Sequence, residues 1–158
     1  MAYQFKEITP TPERFFSLLP PDWREGIAPY WPDYAPTARI FTLEAEDEVR
    51  GGGILFSTPA PDILAYGAEA EYWFAQGYLY IGFLWLAEAH RGRQLGSLWL
   101  QKLRERFPGQ PFWLSIDDYE LLPFYERNGF RLVKKVELAS GEEWVLMNGV
   151  DHRMDKAD

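Results

Sequence analysis

One uncharged run and the segment that follows it constrain the fold most. The run "YLYIGFLWL", Tyr78 to Leu86, has no charged side chain, which is typical of a strand covered on both faces at the centre of a sheet. Residues Phe112 to Ile116 form a second apolar strand, and a helical pattern lies between the two. A crossover helix returns the chain in the same direction, so these two strands are predicted to pair in parallel.

The helix between the two strands is amphipathic. Leu95, Trp99, Leu103 and Phe107 recur every four residues and form one apolar face. The dipeptide Pro108-Gly109 ends the helix. This face is expected to pack on the sheet.

The remaining strands alternate apolar and polar residues or flank turn residues, which favours antiparallel pairing. They are Tyr3–Ile8, Ala38–Glu44, Gly51–Ser57, Arg131–Leu138 and Glu142–Met147. The run Gly51-Gly52-Gly53 is unusual in a strand and predicts a bulge or a close backbone approach.

Shorter helices are predicted between the strands. One begins at Thr11, with Thr11 as its cap and Pro12 in its first turn, and another spans Asp22–Trp31 and ends at Pro32. Further helices are expected at Ala68–Gln76 and at Tyr119–Asn128, the latter followed by Gly129 in a left-handed conformation. The expected fold class is α/β (α+β): a mixed, mostly antiparallel sheet of about seven strands, with about four helices on its faces.

Composition excludes several classes of function. The 158 residues suit one domain, 1–158, and 47% of them are hydrophobic. The net charge of −8 repels phosphate backbones, so no nucleic-acid partner is expected. The chain has no cysteine, its two histidines lie far apart, and it has no long apolar run. We therefore expect no metal, no membrane partner and a cytoplasmic location.

The segment that opens the long helix combines glycines with positive charge. Backbone N–H groups at the start of a helix, together with the helix dipole, form an anion site. Gly92 and Gly96 leave the backbone accessible, Arg91 and Arg93 add charge, and Ser97 can donate a hydrogen bond. The segment is therefore interpreted as a phosphate cradle, and the alternative is an ordinary turn with solvated arginines. It lacks the spacing of the Walker loop and of the dinucleotide fingerprint.

Two stretches resemble one family. "LWLAEAHRGRQLGSLWLQKL" is similar to the acyl-CoA-binding motif Arg/Gln-x-x-Gly-x-Gly/Ala of the GNAT superfamily of N-acyltransferases. "PFYERNGF", Pro123 to Phe130, is similar to a second signature of the same superfamily. The resemblance implies a GNAT-like sheet in which the central parallel strands splay apart, with acetyl-CoA as co-substrate.

The resemblance also implies roles for individual residues. Tyr125 is the general acid that protonates the leaving CoA thiolate, and Asp118 stands where many relatives have an asparagine that contacts the cofactor. The backbone of the fourth strand pairs with the pantetheine arm and polarises the thioester carbonyl. The residues expected at the cofactor are Leu84, Trp85, Leu86, Arg91, Gly92, Arg93, Gln94, Leu95, Gly96, Ser97, Asp118 and Tyr125.

The chain departs from the family pattern at two points. Gln94 replaces the first motif glycine, so its side chain is expected to point away from the phosphates. The fourth strand carries no carboxylate, although many relatives place a general base there. Glu88 and Asp117, at the ends of the two central strands, are the candidate bases, and a water chain is the alternative.

The predicted activity is transfer of an acetyl group from acetyl-CoA to a primary amine of a small molecule. The transfer would be direct, because no cysteine can carry the acyl group. The alternatives are a non-catalytic acyl-CoA-binding or sensor domain of the same fold and a protein-interaction module. A homodimer is compatible with the sequence, which does not show one.

Aromatic and acidic residues outside the motifs are candidates for the acceptor site, with edge packing and solvated charge as the alternative for most of them. They are Asp22, Trp23, Glu25, Tyr30, Trp31, Asp33, Tyr34, Glu69, Glu71, Tyr72, Trp73 and Trp144.

Overall fold

The sheet has seven strands. The computed structural model describes residues 2–87 and 94–149, except for the side chains at positions 61, 62 and 65. The strands are β1 (Gln4–Glu7), β2 (Ala38–Ala45), β3 (Glu48–Phe56), β4 (Leu79–Leu86), β5 (Phe112–Ile116), β6 (Arg131–Leu138) and β7 (Gly141–Met147). Their order across the sheet is β1-β2-β3-β4-β5-β7-β6, with β4 in the middle.

The helices lie between these strands. They are α1 (Glu13–Phe16), α2 (Pro21–Ile27), α3 (Trp31–Tyr34), α4 (Ala68–Ala75), α5 (Leu95–Arg106) and α6 (Leu122–Arg127). Short 3-10 segments span Ala28–Tyr30, Ala35–Thr37, Pro61–Tyr66 and Tyr119–Leu121. Within the described ranges, four α-helices therefore have six residues or more, and α1 and α3 are single turns.

The central pair is parallel, as predicted, and it is short. β4 and β5 pair only at Leu79 with Phe112 and at Tyr80 with Trp113. All other strand pairs are antiparallel. The strands separate beyond Tyr80, so β4 is buried at Tyr80 to Gly82 and only partly covered from Phe83 to Leu86. The expectation of burial on both faces is therefore correct only for the first half of β4.

A bulge in β4 lies beside the glycine run. Gly52 pairs with Trp85 and Ile54 with Gly82, so β4 has one more residue than β3 between these pairs. Phe83, in the bulge, has a φ of +55°, which residues with a Cβ rarely adopt. The predicted close approach is confirmed, since a Cβ on Gly52 would lie 2.6 Å from the Phe41 carbonyl oxygen.

The two faces of the sheet are covered by different parts of the chain. Consecutive strand residues face opposite sides. A Cβ on Gly52 would lie 3.1 Å from the Phe15 ring, and one on Gly53 would lie 2.8 Å from the Trp99 ring of α5. On the Gly52 face, Trp73 of α4 stacks on Trp113 with ring centroids 6.3 Å apart. We call the face with α1 to α4 the N-terminal face and the face with α5 and α6 the C-terminal face.

Two details of the short helices differ from the predictions. Thr11 does not cap α1, because Pro12 occupies the cap position and the Thr11 hydroxyl donates to the Ile8 carbonyl oxygen at 3.3 Å. Pro32 does not end a helix but lies in the first turn of α3, where the missing N–H of proline has no intrahelical partner to lose. No helix in the described part of the chain is long and apolar enough to cross a membrane.

Candidate active site

A cleft of about 400 Å³ opens where β4 and β5 separate. Strand separation exposes side chains of both strands, and α2, α6 and β7 close the sides. The lining residues are Asp22, Trp23, Gly26, Tyr80, Ile81, Gly82, Phe83, Leu84, Leu114, Ser115, Ile116, Asp117, Leu121, Tyr125 and Glu143. The charged groups among these described residues are all carboxylates.

Tyr125 reaches the cleft from α6 on the C-terminal face. Its side chain is only 9% exposed, and its ring contacts the Phe130 ring edge-on at 5.9 Å. Burial raises the pKa of Tyr125 to about 12, since a phenolate loses its hydration in this position. Among the residues that the structure describes, the Tyr125 hydroxyl has no hydrogen-bond partner, so its proton is available to a molecule in the cleft.

The first turn of α5 contains the described part of the predicted phosphate cradle. Leu95 and Gly96 are buried, and Ser97 is partly exposed. The Ser97 hydroxyl oxygen accepts a hydrogen bond from Asn128 Nδ2 at 3.1 Å, which leaves its own proton free to be donated. Arg91, Gly92 and Arg93 lie outside the described residues, as does Glu88, so their predicted roles remain predictions.

Gly96 has a packing role that sequence reasoning missed. A Cβ at this position would lie 2.8 Å from the Phe124 ring of α6. The glycine therefore lets α5 and α6 approach each other, whether or not it also accommodates a phosphate. A bulky residue at 96 would separate the two helices and would not test phosphate binding alone.

Gln94 occupies the cap position of α5 with a φ of +59°. This left-handed conformation explains why a glycine suits the position, because a Cβ costs about 1–2 kcal/mol there. We expect Gln94→Gly to raise the free energy of unfolding by about 0.5–1 kcal/mol after the entropy that glycine loses on folding. Chemical denaturation measures this, with Gln94→Ala as a control that keeps the Cβ and gains nothing. Equal stability of the two variants would contradict the assigned strain.

The β4 residues predicted at the pantetheine arm lie at different places along the gap. Leu84 lines the cleft, while Trp85 and Leu86 pair with Gly52 and Gly51. The Trp85 ring contacts the Trp23 ring of α2 at 5.1 Å. All three β4 residues are partly exposed on the open half of the strand.

The two aspartates that follow β5 have different positions. Asp117 is exposed and lines the cleft. Asp118 caps the next 3-10 turn, and its Oδ1 accepts a hydrogen bond from the Glu120 N–H at 3.0 Å. Of the two candidate bases, Asp117 is the one that the structure describes, and it has access to the cleft. No group of three or more potential metal ligands occurs in the described ranges.

The structure brings only some of the proposed acceptor residues together. Asp22 and Trp23 line the cleft. Trp31 and Trp73 belong to the core, and Trp73 Nε1 donates to Glu69, which also pairs with Lys134 at 3.4 Å. Trp144 packs against the exposed Tyr119. The rest of this set either packs against other side chains or is exposed to solvent, which agrees with the alternative of edge packing and solvated charge.

Sequence reasoning missed Glu143. Glu143 lies on β7, lines the cleft and accepts a hydrogen bond from the Tyr66 hydroxyl. The alternation of β7 did indicate that Glu143 faces inward, since residue 143 shares a face with the buried Val145 and not with the exposed Glu142. No local pattern indicated that Tyr66, 77 residues away, would contact it.

Comparison with known proteins decides the family. The model of the "Acetyltransferase (GNAT) family" matches residues 5–130. The chain belongs to this family. This GNAT acetyltransferase has the fold that the resemblance implied, with β4 and β5 splayed at the centre. No curated protein matches the chain at a significant level.

Solved structures share the GNAT fold at low sequence identity. An aminoglycoside 6'-N-acetyltransferase complexed with coenzyme A superposes with a TM-score of 0.66 and 13% identity, over 91% of this chain and 95% of that chain. An acetyltransferase from Thermus thermophilus has a TM-score of 0.63 and 19% identity, over 95% and 98%. An IAA acetyltransferase from Bacillus cereus has a TM-score of 0.64 and 13% identity, over 94% and 100%. At these identities the likeness establishes the fold alone.

Proposed function

We propose that this GNAT acetyltransferase moves an acetyl group from acetyl-CoA directly to a primary amine of a small molecule. One observation carries the proposal: the gap between β4 and β5 opens into a cleft that is lined by the largely buried side chain of Tyr125, whose hydroxyl has no hydrogen-bond partner among the described residues. The gap leaves the strand edge open to a ligand backbone, and Tyr125 can supply a proton. Neither an acyl-enzyme nor a metal is part of the proposal.

In the proposed reaction, each group has one task. The first turn of α5 holds the CoA pyrophosphate, with Ser97 as a donor. The Leu84 end of β4 lies against the pantetheine arm, and a backbone N–H polarises the thioester carbonyl. The amine nitrogen attacks the carbonyl carbon, the C–S bond breaks, and Tyr125 gives its proton to the thiolate. Asp117 has access to the cleft as the base, and Glu88 is the alternative.

Thermal unfolding with and without acetyl-CoA tests cofactor binding. Ligand at 100 times its dissociation constant should stabilise the fold by about 2.7 kcal/mol, a midpoint shift of roughly 5–10 °C at this chain length. Ser97→Glu should abolish the shift, because its carboxylate repels the pyrophosphate. An acidic residue in the first turn is compatible with the helix dipole, so the fold should remain intact. Ser97→Gln is the matched neutral control and should keep most of the shift.

The same experiment separates the alternatives. Absence of a shift at saturating acetyl-CoA would overturn the proposal and favour an interaction module. A shift without turnover on a panel of amines would favour a non-catalytic acyl-CoA-binding domain. We also propose a cytoplasmic location, which fractionation of cells that express the tagged chain tests.

The pKa of Tyr125 predicts the alkaline side of the pH profile. Because the pKa is raised to about 12, nearly all of the hydroxyl stays protonated up to pH 10.5. We therefore expect kcat to rise as the acceptor amine loses its proton and then to stay level to pH 10.5. Steady-state kinetics from pH 7 to 10.5, with circular dichroism at each pH, measures this. A fall in kcat with an apparent pKa near 10, in protein that is still folded, would contradict the assignment.

A further inference from the structure

Glu143 and Tyr125 reach the cleft from opposite faces of the sheet. Val145 pairs with Ser115 and Met147 with Trp113, and directly paired residues share a face. Trp113 stacks on α4, so Glu143, which alternates with Val145, lies on the N-terminal face. Tyr125 lies on α6, which packs on α5 through Gly96 and Phe124 on the C-terminal face. If Tyr125 protonates the CoA thiolate, the sulfur lies toward the C-terminal face. The N-terminal face of the cleft is then open to the acceptor.

Glu143 is held in place by a neutral donor. The Tyr66 hydroxyl donates a hydrogen bond to Glu143 Oε1, and Tyr66 is only 6% exposed. No lysine or arginine within the described ranges forms an ion pair with Glu143. A phenol orients the carboxylate without neutralising it, so its negative charge remains available to a ligand.

The rest of this face has the same electrostatic character and an apolar wall. Asp22 and Asp117 line the cleft with Glu143, and neither forms an ion pair with a described residue. The Trp23 ring lies edge-on to Phe83 at 6.0 Å and forms a flat apolar surface beside them. Across the cleft, the Tyr125 side chain is only 9% exposed, and its hydroxyl has no partner among the described residues.

The chemistry of transfer restricts what these carboxylates can bind. An amine attacks a thioester only through a free lone pair, and a neighbouring carboxylate favours the protonated amine, which has none. A lining with three carboxylates and no described cation therefore suits an acceptor that keeps a second positive charge while its first amine reacts.

We propose that Glu143, oriented by Tyr66, anchors a second ammonium group of a diamine or polyamine acceptor whose other amine is acetylated. The inference rests on the proposed function, since it concerns the acceptor of the same cleft. Glu143 is a binding residue in this proposal, and Tyr66 is a positioning residue that acts through it.

A matched pair of probes tests the anchor without acetyl transfer. The probes are 1,4-bis(aminomethyl)benzene and 4-methylbenzylamine, which share a ring for the Trp23 wall and differ by one ammonium group. Isothermal titration calorimetry, with and without saturating CoA, should give about tenfold tighter binding of the diamine, as expected for a charged hydrogen bond. Glu143→Gln should reduce this ratio to less than threefold. Glu142→Gln is the control, since it removes the same charge from the next, outward-facing residue, which is 53% exposed.

Each outcome decides the inference. A wild-type ratio near one, or a ratio that survives Glu143→Gln, would overturn it. Tyr66→Phe gives a second test, because loss of the orienting donor should lower the ratio about threefold and leave the monoamine affinity unchanged. Acetyl-CoA binding with a ratio near one would refute the anchor alone. A tenfold ratio without acetyl-CoA binding would refute the proposed function alone.

Discussion

Replacement of Tyr125 by phenylalanine is expected to lower kcat by about 100-fold and to leave the affinity for acetyl-CoA within about twofold. The substitution removes one hydroxyl, which has no hydrogen-bond partner among the described residues and belongs to a side chain that is only 9% exposed. The fold should keep its stability, since no described hydrogen bond is lost. The loss should therefore fall on thiolate protonation and not on binding.

The control for this prediction is a second tyrosine on the adjoining segment. Tyr119 is 51% exposed, packs against Trp144 and does not line the cleft. Tyr119→Phe should leave kcat within about twofold. Steady-state rates at saturating acetyl-CoA and amine measure both variants. A Tyr125→Phe enzyme with the wild-type kcat would show that another group, or water, protonates the thiolate.

Gly52→Ala is expected to lower the free energy of unfolding by about 2–3 kcal/mol. The new Cβ would lie 2.6 Å from the Phe41 carbonyl oxygen and 3.1 Å from the Phe15 ring. The first of these atoms belongs to the backbone of β2 and cannot rotate away, so the two strands must move apart. Thermal unfolding should show a midpoint lower by roughly 5–10 °C.

The matched substitution for comparison is Gly26→Ala in α2. A Cβ there meets nothing within 4 Å, and alanine favours the helix by about 1 kcal/mol. The same change of one methyl group should therefore stabilise the protein at 26 and destabilise it at 52. Equal effects at both positions would contradict the close packing of β2 against β3.

The parts of the fold that sequence predicted well are those with a strong local signal. β5 and β6 have the predicted bounds, since an apolar run follows Pro111 in one case and alternation follows Gly129 in the other. The parallel pairing of β4 with β5 followed from a connection that contains a helix. The separation of β4 from β5 was predicted from the family resemblance alone, because neither residue composition nor hydrophobic periodicity indicates where two paired strands separate.

Most of the errors share one physical cause, which is contact between segments that are distant in the sequence. The predicted cap of α1 was wrong because the helix begins one residue later, with Pro12 at the cap position. The Thr11 hydroxyl donates its hydrogen bond to the Ile8 carbonyl oxygen and not to the helix. Position 96 needs a glycine for packing because a Cβ there would contact the Phe124 ring, 28 residues away. In the sequence, Glu143 cannot be distinguished from other carboxylates of an exposed hairpin. Its contact with Tyr66 forms only in the folded structure. Contacts between distant segments decided all of these features except the cap of α1.

The short parallel pairing has a consequence for how the chain unfolds. Strands β1 to β4 form one block that is contiguous along the chain, and β5 to β7 form another, with two residue pairs of β4 and β5 hydrogen-bonded between them. Such a seam makes the two blocks candidates for separate cooperative units in native-state hydrogen exchange. A ligand bound in the gap between β4 and β5 would hold the two blocks together. The two blocks would then unfold in one concerted transition, where without the ligand they open partly independently.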